Sequence, residues 1–167
     1  MIDHRKGPRP LYQHMLTAQI LWGKEVDFAQ KMIQLSQAFV RYNSFDYCYD
    51  YRQDKDVLWQ KDGCTLLGQE ALFKDKEKKV VLLLPSLING AGIFDLTQQH
   101  SFYKFLIAQG LCPILFDWGS TVTTLAGATV ESLSRNYVAP ALRFLYQSRQ
   151  DTPVTLGYCI GGVMSIL

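Results

Sequence analysis

The chain has 167 residues, 48% of them hydrophobic and 19% charged, with a formal net charge of +2. That suits a globular domain with a real core, and the charge is too small to imply a nucleic acid or an acidic membrane surface as partner. The first ten residues are polar and lack the apolar stretch of a secretory signal, and no apolar run reaches bilayer length, so a cytoplasmic protein is expected.

Residues 11–42 predict helix, with Gly23 as a break point; Met15, Trp22, Val26, Ala29, Ile33, Ser36 and Val40 fall on one mainly apolar stripe. The plain reading of that stripe is packing within its own domain, and the sharper one is a face for a partner subunit or a hydrophobic particle. Residues 1–44 are thus an N-terminal helical segment, and 45–167 the start of a second domain. Residues 45–73, aromatic and polar with a turn at Lys61-Asp62-Gly63, predict a small antiparallel entry to a sheet. The mixed-sign run Lys74 to Lys79 reads as a solvated loop.

From there the pattern sharpens. Val80 to Leu84 is a continuous apolar strand ended by Pro85, and Phe102 to Ala108 an amphipathic helix stopped by Gly110. Cys112 to Phe116 is a second buried strand, Leu133 to Ser148 a helix that Pro140 kinks or splits, and Val154 to Leu156 a third strand. Alternating helices and fully apolar strands predict an α/β fold with a doubly wound, mostly parallel sheet.

The four cysteines form no CxxC pair and have no metal-ligand spacing with the histidines, so neither a metal nor a cofactor is expected. Cys112 reads as inert core. Gly157-Tyr158-Cys159-Ile160-Gly161-Gly162, however, reads G-x-C-x-G-G where an apolar strand gives way to an apolar helix. That is the pattern of a nucleophile elbow, with cysteine in the usual serine place. Gly157 and Gly161, two positions either side of Cys159, remove the Cβ clash that such a turn creates. The bland alternative is a tight turn around a buried cysteine.

Ligands of a parallel sheet gather beyond the carboxyl ends of its strands, here the loops 85–92 and 117–119 and the elbow itself. Acyl transfer needs two backbone N–H donors at the developing oxyanion. Ile160, following the nucleophile, supplies one, and Ile88 or Asn89 the other, although Asn89-Gly90 is equally a plain turn. Asp117 reads as a loop-capping carboxylate, and Trp118 as either a core residue or a stacking surface for substrate or subunit. In α/β-hydrolases the acid and histidine follow the nucleophile in the chain. Only eight residues follow Cys159, and His4, His14 and His100 all precede it. The expectation is therefore part of a longer or split protein truncated after the elbow, or a remnant, and in either case a chain inactive alone.

Three segments, residues 82–96 (LLLPSLINGAGIFDL), 110–120 (GLCPILFDWGS) and 154–167 (VTLGYCIGGVMSIL), together resemble the polyhydroxyalkanoate (poly-beta-hydroxybutyrate) synthases of the α/β-hydrolase superfamily. The resemblance covers residues 80–167 well and the N-terminal half loosely. It implies that 45–167 is the N-terminal part of an α/β-hydrolase domain, and that Cys159 attacks the thioester of an (R)-3-hydroxyacyl-coenzyme A and holds the growing polyester. It also implies a histidine and an aspartate, neither carried over to any residue here. Further partners it implies are a homodimer mate or a complementing C-terminal chain, and the polyester granule surface. Cysteine suits the task, since a thiolate is a strong nucleophile that a helix N-terminus favours, and a thioester passes its acyl group readily to an alcohol. The position of Cys159 is nearer that of the short, two-subunit synthases, while Ile160 is more like the long kind. An esterase or thioesterase of the same fold stands as the alternative function.

Overall fold

A computed structural model describes residue 20 and residues 27–44, 49–87, 89–119 and 127–166. The chain divides into two compact units, Met1–Cys48 and Tyr49–Leu167. In the first, α1 spans Phe28–Ser44. The members of the expected stripe that fall among the described residues, Ala29, Ile33, Ser36 and Val40, are exposed. The half-buried positions are Lys31, Met32 and Leu35, one step round the helix. Ala29 and Ser36 interrupt the stripe with little apolar surface, so Met32 and Leu35 offer the better face. Met15, Trp22, Val26 and the Gly23 break lie outside the described residues.

The second unit is built on five strands: β1 (Asp56–Lys61), β2 (Cys64–Gly68), β3 (Val80–Leu84), β4 (Cys112–Asp117) and β5 (Val154–Gly157). Their order in the sheet is β1-β2-β4-β3-β5. β1 pairs with β2, and β2 with β4, antiparallel; β3 pairs parallel with both β4 and β5. The fold is α/β, but the sheet is mixed rather than mostly parallel. For β1 and β2 the cause is local: Asp62 and Gly63 both have positive φ (48° and 84°), the backbone of a two-residue hairpin turn that must return the chain antiparallel.

β3 and β4 are buried along their whole length, as befits strands covered on both faces. Their side chains alternate between two cores. Leu82, Leu84, Ile114 and Phe116 join one; Val81, Leu83 and Leu115 join the other, with Phe94, Tyr103 and Leu106. Burying each such leucine stabilises the fold by roughly 1.5–3 kcal/mol, which makes the β3–β4 pair the rigid centre of the unit.

Among the described residues five helices complete it: α2 (Glu70–Lys74), α3 (Phe102–Ala108), α4 (Val130–Leu133), α5 (Ala139–Arg149) and α6 (Ile160–Met164), with a 3-10 turn at Ala91–Phe94. α4 and α5 run on through a π-helical turn, Ser134–Val138. Pro140 explains that turn, because its missing N–H leaves the carbonyl four residues back without a helical donor. That carbonyl, of Asn136, accepts from Lys61 Nζ at 2.8 Å.

Candidate functional site

The carboxyl ends of β3, β4 and β5 lie along one edge of the sheet because these strands run parallel. After β5 the chain turns at Tyr158 and Cys159 into α6, with Cys159 at the N-cap, φ 57° and ψ −126°. A non-glycine residue held there costs roughly 1–3 kcal/mol, so the surroundings must enforce it. Tyr158 N–H donates to Leu84 O at 2.9 Å, Gly161 N–H to Tyr158 O at 3.0 Å and Gly162 N–H to Cys159 O at 2.9 Å. A β-carbon on Gly157 would overlap the Gly162 backbone, and one on Gly161 would overlap Leu84 O. Both glycines are thus required by close approach, and the thiol between them is exposed. Ile160 is the first residue of α6, so its N–H belongs to the turn that has no intrahelical acceptor.

Cys64 and Cys112 are buried, and burial pushes the Cys112 thiol up to about 11, fitting the inert role expected of it. The buried-cysteine alternative therefore does not describe Cys159.

In the loop after β3, Ser86 is buried and Gly90 has φ +65°. Asn89 is exposed, and its N–H donates to Ser86 Oγ at 3.1 Å. Ile88, the other predicted donor, lies outside the described residues.

After β4, Asp117 is buried and caps its own loop: Oδ1 accepts from Gly119 N–H at 2.9 Å. Oδ2 accepts from Tyr51 OH at 3.0 Å, Arg52 Nε at 2.9 Å and Arg52 Nη2 at 2.7 Å. The capping role expected of Asp117 is what its contacts show. Burial, with the Asp117 carboxylate adding, pushes the Tyr51 phenol up to about 12. Burial pulls the Arg52 guanidinium down, but Asp117 and Tyr51 outweigh it and leave the group above its ordinary value. Trp118 is a core residue. It is 1% exposed, packs on Phe116 with ring centroids 4.6 Å apart, and donates from Nε1 to Pro85 O at 3.3 Å.

A second ionic contact joins this region. Lys55 Nζ lies 2.6 Å from Asp95 Oδ2, both side chains buried, and Tyr49 OH donates to Asp95 Oδ1 at 3.0 Å. Residues 49–55 thus grip both the β3 and the β4 loops. Sequence reasoning missed Tyr51, Arg52, Lys55 and Asp95, since their partners lie 40 to 66 residues away and no motif marks them. No hydrogen bond joins the Cys159 thiol to a described residue, and no described histidine serves it as base.

The fold and this turn define a class: an α/β protein presenting one exposed thiol, among the described residues, on a strained strand-to-helix turn. No family model matches the chain. It is 29% identical over 109 residues to the poly(3-hydroxyalkanoate) polymerase subunit PhaC of Rhizobium meliloti, covering 65% of this chain and 18% of that protein. Against the same-named subunit of Haloferax mediterranei it is 28% identical over 113 residues, 67% of this chain and 23% of the relative. With that of Synechocystis it shares 25% over 142 residues, 84% of this chain and 37% of the relative. The chain is a relative of the poly(3-hydroxyalkanoate) polymerases, and these matches cover from under a fifth to just over a third of the length of those polymerases. Among the described residues, no helix is long and apolar enough to cross a membrane.

Proposed function

We propose that the chain is the nucleophile-bearing part of a polyhydroxyalkanoate synthase with an α/β-hydrolase-like domain, working in the cytoplasm on (R)-3-hydroxyacyl-coenzyme A. The Cys159 thiolate adds to the thioester carbonyl carbon, the carbonyl oxygen takes the negative charge, and collapse expels the coenzyme A thiolate. The acyl group is left on Cys159 as a new thioester for transfer to the hydroxyl of the next monomer. The Ile160 N–H faces the oxyanion from the start of α6. The second donor belongs to the loop after β3, and of its two candidates Asn89 already spends its N–H on Ser86 Oγ. The acid and base come from outside these residues, supplied by further chain or by a complementing one. The N-terminal helical segment expected over 1–44 would serve a dimer mate or the granule surface.

One observation carries the reading: a non-glycine residue at φ 57°, flanked by two glycines that tolerate no β-carbon, displays a thiol to solvent. Strain maintained by that much close packing is characteristic of reactive positions.

The test is incubation with 3-hydroxybutyryl-coenzyme A, following thiol release and locating the acyl group by peptide mass spectrometry. A single acylation at Cys159, abolished in Cys159→Ala, is expected of this chain, with polymer formed only when the acid and base are supplied. Acyl transfer to water by the completed protein, without polymer, would reassign it as a thioesterase. Coenzyme A release unchanged in Cys159→Ala would remove the nucleophile altogether.

A further inference from the structure

We propose that Lys55 is a positioning residue: paired with Asp95, it locks the turn after β3 against the elbow that carries Cys159. The proposal rests on Cys159 being the acyl-accepting nucleophile and on the loop after β3 supplying the second oxyanion donor.

The pair is built for placement. Lys55 is 2% exposed in its side chain and Asp95 0%, with 2.6 Å between them. Taking two charges out of water costs nearly what their attraction returns, so such a pair does little for net stability. This one is also fully surrounded: Lys55 Nζ donates to Tyr51 O at 2.6 Å and sits 4.3 Å from the Tyr103 ring centroid, while Tyr49 OH completes the carboxylate at 3.0 Å. A satisfied buried pair tolerates few geometries, and that is its effect here.

What it places is the far end of the β3 loop. Asp95 closes the 3-10 turn, donating its N–H to Gly92 O at 3.1 Å. The preceding Phe94 meets Tyr158, the neighbour of Cys159, edge to face at 6.4 Å. The near end is held independently, with Trp118 Nε1 on Pro85 O. Releasing Asp95 therefore frees one end of the loop and one wall of the elbow, while β3, the glycine contacts and the Cys159 backbone stay as they are.

Two reagents separate placement from folding. A 4-nitrophenyl ester of 3-hydroxybutyrate acylates Cys159: sulfur bonds to the carbonyl carbon, the oxygen carries charge, and 4-nitrophenolate leaves. Iodoacetamide alkylates the same sulfur, with iodide leaving and no oxyanion formed. The ratio of the two rates at Cys159, assigned by peptide mass spectrometry, cancels the reactivity of the thiol itself and reports oxyanion stabilisation. Asp95→Asn, Lys55→Met and the neutral double variant K55M/D95N should each lower that ratio about tenfold or more, as loss of oxyanion donors does. Alkylation of Cys159 should stay within about twofold, since the displacement needs no such donors, and Cys64 and Cys112 should remain protected.

A ratio restored in the double variant would overturn the lock, because charge balance rather than placement would then be what matters. If the double variant exposes Cys64 and Cys112, the isosteric Asp95→Asn decides, and an unchanged ratio there overturns the proposal. A wild-type ratio no higher than that of N-acetylcysteine would instead remove the nucleophile reading on which it stands.

Discussion

Gly161 lies so close to Leu84 that a β-carbon on it would overlap the Leu84 carbonyl oxygen, and it would also come within 2.8 Å of Pro85 O. The same Leu84 oxygen accepts the Tyr158 N–H at 2.9 Å. The elbow is therefore clamped to the end of β3 at two points, a hydrogen bond before the thiol and a bare backbone contact after it.

Gly161→Ala should accordingly destabilise the second unit by about 1–3 kcal/mol, the usual range for forcing volume into a packed site. The obstruction is backbone of the central strand and cannot rotate away. Urea denaturation would show a lowered midpoint at unchanged slope. Gly162→Ala is the control: a β-carbon there comes no nearer than 3.5 Å to Gly157 O, an ordinary contact, so its midpoint should move little.

Cys159→Gly and Cys159→Ala should rank in an unusual order. At most helix-adjacent positions glycine is the less stable, by roughly 0.5–1 kcal/mol of extra chain entropy. At φ 57° and ψ −126°, alanine keeps the strain that cysteine bears, about 1–3 kcal/mol, and glycine escapes it. The glycine variant should therefore be the more stable of the two by about 1 kcal/mol, read as the difference in urea midpoints. An alanine variant that matches or exceeds it would mean that the turn is not strained.

The parts legible in the sequence were those written in neighbouring residues. β3 and α3 begin and end where the apolar run, Pro85 and Gly110 indicate, and β4 runs only one residue further, to Asp117. The elbow was legible because strand, glycines and helix are contiguous, and Asp62-Gly63 announced the hairpin. That β2 would then dock antiparallel on β4 was not legible, since Leu66 and Phe116 find each other across fifty residues with no local signal. The grip of residues 49–55 was invisible for the same reason. A lysine and an aspartate read as surface charges until the fold buries them together.

Asp117→Ala should cost about 2–3 kcal/mol, because it strands buried donors rather than merely deleting a contact. Tyr51 OH and Gly119 N–H would lose their acceptor, and Arg52, half exposed, would turn partly to water. Asp117→Asn keeps an oxygen for Gly119 and should cost roughly half as much, since only the charge-assisted bonds weaken. Equal losses for the two would show that the Tyr51–Arg52 side, not the loop cap, dominates. Chemical denaturation of the two variants side by side makes the comparison.

Tyr51 should make the fold sensitive to alkali. Its phenol is pushed from 10.0 up to about 12, by burial first and the Asp117 carboxylate second. A group whose folded pKa is raised holds its proton more tightly folded than unfolded. Its stabilisation is complete below pH 10 and is lost as pH climbs through 12. A rise of that size corresponds to at most about 2–3 kcal/mol, and partial solvent access reduces that to about 1–2 kcal/mol. Tyr51→Phe removes the ionisable group, so its stability should fall less steeply over that interval. Some slope should persist, because burial also raises Cys112, to about 11, and Tyr103. Urea midpoints measured in steps from pH 9 to 12 check this, and parallel curves for wild type and Tyr51→Phe would show that the phenol is as easily ionised folded as unfolded.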